Sequence, residues 1–348
     1  MTPMFVGIDA GEDSAALCAL DQSGAIVGEI SCDAASNMVI EKLGELHATS
    51  ETVIGIEAGG CGRPIARKLR AAGFQLRVLE TKYVSRFLKV RQNKTDRNDT
   101  RGIAEIVRLG ATAVPDVLIK PEAIQMLRSE LVLRQRLLAQ RVALENALHG
   151  TLRLSGGQLC RIFSGTHLER TLREKLDRLF AGGIDLREVI EPVAAILVEL
   201  RMTIERGDRR LEHIAQDLEV CRRLMTIPGV GRICALSFYT AIADPYRFER
   251  NSDVGPYLGL VPRISQSGSL NIAGRITKTG NRMTRTHLVA AAGSMMVQAK
   301  KDSELRRWAL RIKERSGHGK ARVALARKLA VVMLAMWKSG EPFRLSSA

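Results

Sequence analysis

Val53-Ile54-Gly55-Ile56-Glu57 is the stretch on which the fold turns. It is an apolar run too short for a helix, closed by a carboxylate, and it repeats the form of Val6-Gly7-Ile8-Asp9 near the head of the chain. Both read as buried strands. Working outward, residues 5–9 form the first strand, and 15–20 and 26–31 pair across the turn at Asp21 to Gly24. Residues 38–46 have helical spacing. After the strand at 53–57 come a helix over 63–72 stopped by Gly73 and a further strand over 75–79. A last helix shows Ile103, Ile106 and Val107 on its apolar face.

Three strands, then helix, strand, helix, strand and helix is the order of a ribonuclease-H-type domain. In that order Asp9 and Glu57 each close a strand, where the sheet holds the carboxylate rigidly while its head reaches the rim. Asp96 and Asp99 open the last helix, and a spacing of three puts both on one face. Thr95 is placed to cap that helix. One such acid alone is more often a solvated charge or a favourable group at a helix N-terminus. Four in this order predict convergence. Carboxylates that close repel one another unless cations sit between them, and two Mg2+ ions about 3.5–4 Å apart are the usual solution in phosphoryl displacement.

The rest of the composition agrees with a polyanionic partner. The 348 residues carry 53 Lys and Arg against 37 Asp and Glu, a net charge of +16, which favours a nucleic acid or an anionic membrane. The membrane reading is weak, because the apolar stretches around 288–297 and 329–337 fall short of the roughly 20 residues a span requires. No basic region followed by an apolar run marks a secretory leader at the N-terminus. The six cysteines form no CxxC pair and no zinc spacing, and read as reduced, mostly buried thiols of a cytoplasmic protein. Aromatic content of 4% argues against a surface built for stacking on single strands. Between 82 and 101, Lys82, Arg86, Lys89, Arg91, Lys94, Arg97 and Arg101 suit a phosphate-tracking segment.

From Pro121 the pattern turns helical. Leu127, Leu131, Leu138, Leu148 and Leu152 mark one face. A second stripe runs from Leu186 through Ile190, Leu197, Ile204 and Leu211 to Leu218, with Gly207 interrupting it and Pro192 expected to kink or restart the helix. Such stripes bury against a partner helix, either within the chain or across a dimer. Further on, Ile227-Pro228-Gly229-Val230-Gly231 reads as the hairpin of a helix-hairpin-helix element, followed by a helix over 233–243. Helices over 283–299 and 321–338 close the chain, separated by a basic loop over 315–320. Ser265, Ser267 and Ser269, around Gly268, read most simply as a turn. No histidine stands beside them as a base.

Taken together, Asp9, Glu57, Asp96 and Asp99, the 227–231 hairpin, Asp244 with Arg247-Phe248, the run from Tyr257 to Arg263, the Ser-Gly turn, the 276–281 loop and the basic run 318–329 resemble the DEDD transposases of the insertion sequence 110 family, also described as bridge-RNA-guided recombinases. The resemblance covers both end regions. It implies an α/β plus all-α chain in three parts: a RuvC-like catalytic domain over 1–112, a long helical coiled-coil arm over 113–220 serving dimerisation, and a helical transposase domain over 221–348. It further implies that Asp9, Glu57, Asp96 and Asp99 bind Mg2+ and that Ser267 attacks DNA phosphate to leave a phosphoserine link. Acids and serine would then share one site between protomers. Implied partners are donor and target duplex DNA, a structured noncoding guide RNA, and further copies of the chain in a dimer or tetramer. Arg91, Lys94, Arg263, Arg275 and Lys278 are the candidate nucleic-acid contacts.

Ala58 follows Glu57 where relatives often carry a small hydroxyl residue, and Ser265 or Ser269 could stand in place of Ser267. Three other readings use the same residues differently. A Holliday-junction resolvase would employ the acids with water as nucleophile, and a nucleic-acid scaffold would make the acids structural. A tyrosine recombinase would draw on His167 and Arg170 with Tyr239, Tyr246 or Tyr257.

Overall fold

In a computed structural model, residues 4–89, 95–110, 112, 114–154, 174, 177, 185–267, 270–298 and 302–344 are described. Arg91, Lys94, His167, Arg170, Gly268 and Ser269 lie outside them. The chain divides into two compact units, 1–120 and 121–348.

The first unit is built on a five-stranded sheet. Its strands are β1 (Phe5–Ala10), β2 (Ser14–Leu20), β3 (Ile26–Asp33), β4 (Val53–Glu57) and β5 (Gln75–Leu79), in the order β3-β2-β1-β4-β5. β1, β2 and β3 are antiparallel neighbours, while β1, β4 and β5 run parallel. Alternation along the strands sorts the side chains to two faces. Val6, Ile8, Ile54 and Ile56 pack with Val39 and Leu43 of helix α1 (Ser36–Glu45) and with Ile65 and Leu69 of α2 (Gly62–Ala71). The opposite face carries α4 (Asp96–Arg108), which packs on β1, β2 and β4. Helix α3 (Thr81–Leu88), which the strand pattern did not announce, joins that side through Val84 against Ile103, Ile106 and Val107. Thr95 caps α4 as expected, accepting from Asn98 N at 3.2 Å.

The second unit begins with α5 (Glu122–Leu154) and α6 (Arg187–Asp217), packed antiparallel. Leu148 and Leu152 meet Ile190, Ala194 and Leu197 at one end, and Leu127 and Leu131 share a core with Leu211 and Ala215 at the other. Arg201 with Glu145 at 2.7 Å, and Arg134 with Asp208, tie the pair along its length. The apolar stripes of both helices are thus buried against each other inside the chain. Helix α6 runs unbroken through Gly207 and Pro192. Pro192 lies within the first two turns, so only one early hydrogen bond is lost.

Next come α7 (Glu219–Leu224) and α8 (Arg232–Ile242), then a 3-10 turn (Asn251–Asp253) leading into α9 (Val254–Tyr257). The unit closes with α10 (Arg282–Gln298), α11 (Glu304–Ser316) and α12 (His318–Ser339). Phe238 is central to their core, and Tyr239 stacks on Trp337 with ring centroids 5.1 Å apart.

Two expectations fail here. The basic loop over 315–320 is not a loop: α11 reaches Ser316, α12 starts at His318, and Gly317 alone separates them. Ser303 starts α11 by accepting from Arg306 N at 3.2 Å, and one strip of Leu305, Trp308, Ala309 and Ile312 suffices to seat an otherwise charged helix. The serine segment is not a simple turn but most of a two-stranded ribbon, β6 (Pro262–Ser267) against β7 (Leu270–Ile276).

Candidate active site

Asp9 and Glu57 stand one residue beyond the paired Ile8 and Ile56 of β1 and β4, two adjacent parallel strands. Both belong to the face that α4 covers, together with Gly7 and Gly55, which pair in register. These glycines let the helix lie directly on the strands. A Cβ at Gly7 would come within 2.1 Å of Thr100 O, and one at Gly55 within 2.3 Å of Val107 Cγ2 and 3.0 Å of Ile103 Cγ2. Residues 96, 100 and 104 therefore form the helix row above β1, and 99, 103 and 107 the row above β4. One turn before Thr100 is Asp96, on the Asp9 row; one turn before Ile103 is Asp99, on the Glu57 row.

The first row opens into a cleft of about 500 Å³ lined by Asp9, Ser14, Glu29, Asp96, Arg97 and Thr100, among others. The structure thus brings Asp9 and Asp96 to one cleft and sets Glu57 and Asp99 on the neighbouring row, because α4 crosses two strands that lie about 4.8 Å apart. Asp96 is exposed, while Asp9, Glu57 and Asp99 are half-buried.

Glu29 was not among the expected site residues. It lies on β3 opposite Cys18, which in turn faces Gly7, so it shares the helix-covered face. Both Nε and Nη2 of Arg97 reach its Oε2, whereas Oε1 is buried without a hydrogen-bond partner. The hydrogen bond from Arg97 holds the Glu29 carboxyl below its ordinary range, against the upward push of burial. Pairing with Glu29 likewise raises the Arg97 guanidinium. Only the periodicity of strand β3 could have flagged Glu29, and one acid in a half-polar strand is a faint signal.

Donor chemistry decides whether these groups suit a divalent cation. Among the described residues no cluster of three or more His, Cys, Asp or Glu side chains is arranged to hold a metal alone. The anionic donors at the cleft are all hard carboxylate oxygens, from Asp9, Glu29 and Asp96. Mg2+ commonly takes one or two carboxylates and completes its shell with water and substrate phosphate. The Asp9–Asp96 cleft fits that habit.

In the second unit, Ser267 ends β6 opposite Leu270. Arg263, Arg275 and Lys278 are all exposed on or beside the ribbon, and Arg263 Nη2 lies 3.5 Å from Thr277 O. Lys278 adopts a left-handed backbone, φ 56°. Beneath it the buried Arg285, 8% exposed, donates to Leu258 O at 2.9 Å and Thr279 O at 2.7 Å. From 254 to 301 the sequence holds no Asp or Glu, so these cations have no nearby acid in sequence to neutralise them. The glycine turn at 227–231 leaves Gly229 exposed but still presses its third residue against α10. Gly229 has φ 85°, and a Cβ there would meet Ala291 O at 2.6 Å and Met295 N at 2.8 Å, so the turn docks on α10.

A mixed sheet with carboxylates at the ends of adjacent parallel strands, in a chain whose other unit is helical and rich in cations, points to a class: RuvC-like enzymes that cut nucleic acid. Comparison with known proteins makes it specific. A DEDD-type transposase family model matches residues 6–155, and the model described as transposase IS116/IS110/IS902 family matches 221–308. The transposase for insertion sequence element IS1111A of Coxiella burnetii is 28% identical, over 98% of this chain and 91% of that protein. The transposase for insertion sequence element IS1328 of Yersinia enterocolitica is 26% identical, over 84% of this chain and 85% of its own. The chain belongs to the IS110/IS116 family of transposases, enzymes that cleave and rejoin DNA. Among the described residues no helix is long and apolar enough to cross a membrane.

Proposed function

We propose that this transposase cuts and rejoins DNA by magnesium-dependent attack of the Ser267 hydroxyl on a phosphodiester, with a covalent phosphoserine link, under the direction of a structured guide RNA. The observation that carries the metal-dependent part is the seating of α4 on Gly7 and Gly55, with Asp96 on the Asp9 row and Asp99 on the Glu57 row. Asp9 and Asp96 would hold the cation, with Glu57 and Asp99 beside them. Magnesium supplies Lewis-acid stabilisation of charge building on the phosphate. The protein's own share is to hold hard oxygen donors on a rigid sheet and on a capped helix start, so that little reorganisation accompanies reaction.

Support for the serine comes from the sequence around it and from its setting. It ends an exposed ribbon flanked by Arg263, Arg275 and Lys278, cations suited to phosphate. Arg91 and Lys94 belong to the same reading as phosphate contacts of the first unit. The guide RNA rests on the family resemblance and on the net charge of +16, which suits recognition of duplex shape and backbone. We take residues 1–112 as the RuvC-like part, 113–220 as the arm and 221–348 as the transposase part. The 227–231 turn serves as a helix-hairpin-helix contact through its exposed edge. Assembly of copies through the arm is supported by exposed Met126 and Leu133 on α5 and Val189 and Ile196 on α6, each pair seven residues apart.

The test compares Asp9→Asn and Asp96→Asn with the unaltered protein on a labelled duplex bearing an element end, with the candidate RNA. Strand cutting should need Mg2+ and fall on the order of 100-fold or more in either variant, while binding of the duplex in EDTA persists. Cutting that survives both changes would refute the proposal.

A further inference from the structure

The first turn of α4 carries two of the four acids, and its attachment to the sheet is unusual. At the far end of the helix, Arg108 Nη1 donates to Gln22 O at 3.0 Å and Nε pairs with Glu105 at 2.8 Å, anchoring it to the turn between β2 and β3. At mid-helix the backbone rests on Gly7. Ahead of Thr100, Arg97, the residue between Asp96 and Asn98, ties the helix to the sheet by reaching over to Glu29 on β3. The two partners differ in setting: the Arg97 side chain is 78% exposed and that of Glu29 only 19%. Glu29 spends one oxygen on both guanidinium nitrogens and keeps the other buried and unpartnered beside the cleft.

We infer that Glu29 and Arg97 are positioning residues of the DNA-cutting site, an ion pair that fixes the first turn of α4 against β3 and so sets the distance of Asp96 and Asp99 from Asp9. The inference rests on the reading of those acids as cation-binding. Its physical basis is the leverage of the first turn. Asp9 is held by its pairing with Ala16 of β2 and follows Ile8, which pairs with Ile56 of β4, whereas Asp96 is the first residue of its helix, and helix ends fray unless tied. Loss of either partner loosens the seat of that turn on β3, although the Thr95 cap still closes it. Loss of Arg97 also deprives Glu29, on the helix-covered face, of its strongest partner. Groups that orient metal ligands without touching the metal commonly affect affinity as strongly as this requires.

The experiment titrates Mg2+ alone into the full-length protein by isothermal titration calorimetry, with thermal unfolding measured in EDTA on the same samples. Glu29→Gln and Arg97→Gln should each weaken Mg2+ binding about tenfold. Their melting temperatures should stay near that of the unaltered protein, and the double variant should be no weaker than the worse single one, as expected of two residues acting as a unit. Arg97→Lys, which keeps the charge, should recover part of the affinity and stands in if Arg97→Gln does not fold. Unchanged Mg2+ affinity in a folded variant, or effects that add in the double, would overturn the inference. Asp9→Asn separates the two levels: if it too leaves Mg2+ binding intact, the cation reading itself fails, whereas if it alone abolishes binding, only the positioning role fails.

Discussion

A methyl group added at Gly7 would meet backbone, Thr100 O at 2.1 Å and Ala104 N at 2.5 Å, while one at Gly55 would meet side-chain methyls, Val107 Cγ2 at 2.3 Å and Ile103 Cγ2 at 3.0 Å, which can give only by shifting. Gly7→Ala should therefore lift α4 off the sheet and cost about 2–3 kcal/mol, against about 1 kcal/mol for Gly55→Ala, within the range for overpacking. Urea unfolding of the two variants checks the order. At this scale the carboxylates were legible, because an acid closing an apolar strand has few other meanings in a chain this basic. The glycines before them were not, since their role depends on α4, which starts at Asp96, far along the chain from both, crossing both strands at that rung. The same held for Glu29, whose partner lies 68 residues away. Thiols give a second prediction: burial pushes Cys221 and Cys234 up to about 12, so both should resist iodoacetamide at pH 8 while the partly exposed Cys61 reacts.

Helix α10 packs against its neighbours with His287 half-buried and its Nδ1 lacking a hydrogen-bond partner. Burial, with a smaller contribution from Arg134, lowers its affinity for a proton below the ordinary value of 6.5. The unfolded chain then binds a proton that the folded one resists. Stability from neutral His287 is complete above about pH 6.5 and declines as pH falls toward the depressed native value. His287→Gln should flatten the fall in melting temperature between pH 7 and pH 5; an unchanged slope would show that other groups govern it.

Elements with strong periodicity were readable in advance, as with β4, β5 and the stripe of α6. Those that failed had weak patterns for identifiable reasons. Helix α11 hides its narrow apolar strip among Arg, Lys and Glu. The β6–β7 ribbon is rich in Ser, Gln, Asn and Gly, residues depleted in strands, and its cross-strand pairing supplies what its composition does not.

The whole molecule carries +16, and the acid-free stretch from 254 to 301 concentrates part of that excess in the second unit. Binding to duplex DNA should weaken about 10³-fold or more between 50 and 200 mM salt if the protein neutralises six or more phosphates. A shallow dependence would point to few phosphate contacts. The change from alternating strands and helices to continuous helix at Pro121 was visible in the sequence, whereas the first boundary was expected at 112 and the compact units divide at 120. That the long helices pack as an antiparallel pair within the chain was only one of two readings the stripes allowed, because an apolar stripe specifies burial and not the identity of what buries it.

The central claim is a serine nucleophile served by metal-binding acids, and mapping the covalent product tests it most directly. Protein, candidate RNA, Mg2+ and a labelled duplex are quenched in SDS, digested, and the DNA-linked peptide is sequenced by mass spectrometry. The account predicts an SDS-resistant, protease-sensitive adduct whose phosphate sits on Ser267, lost in Ser267→Ala. Cleavage that persists in Ser267→Ala with no adduct would contradict it and assign the attack to water.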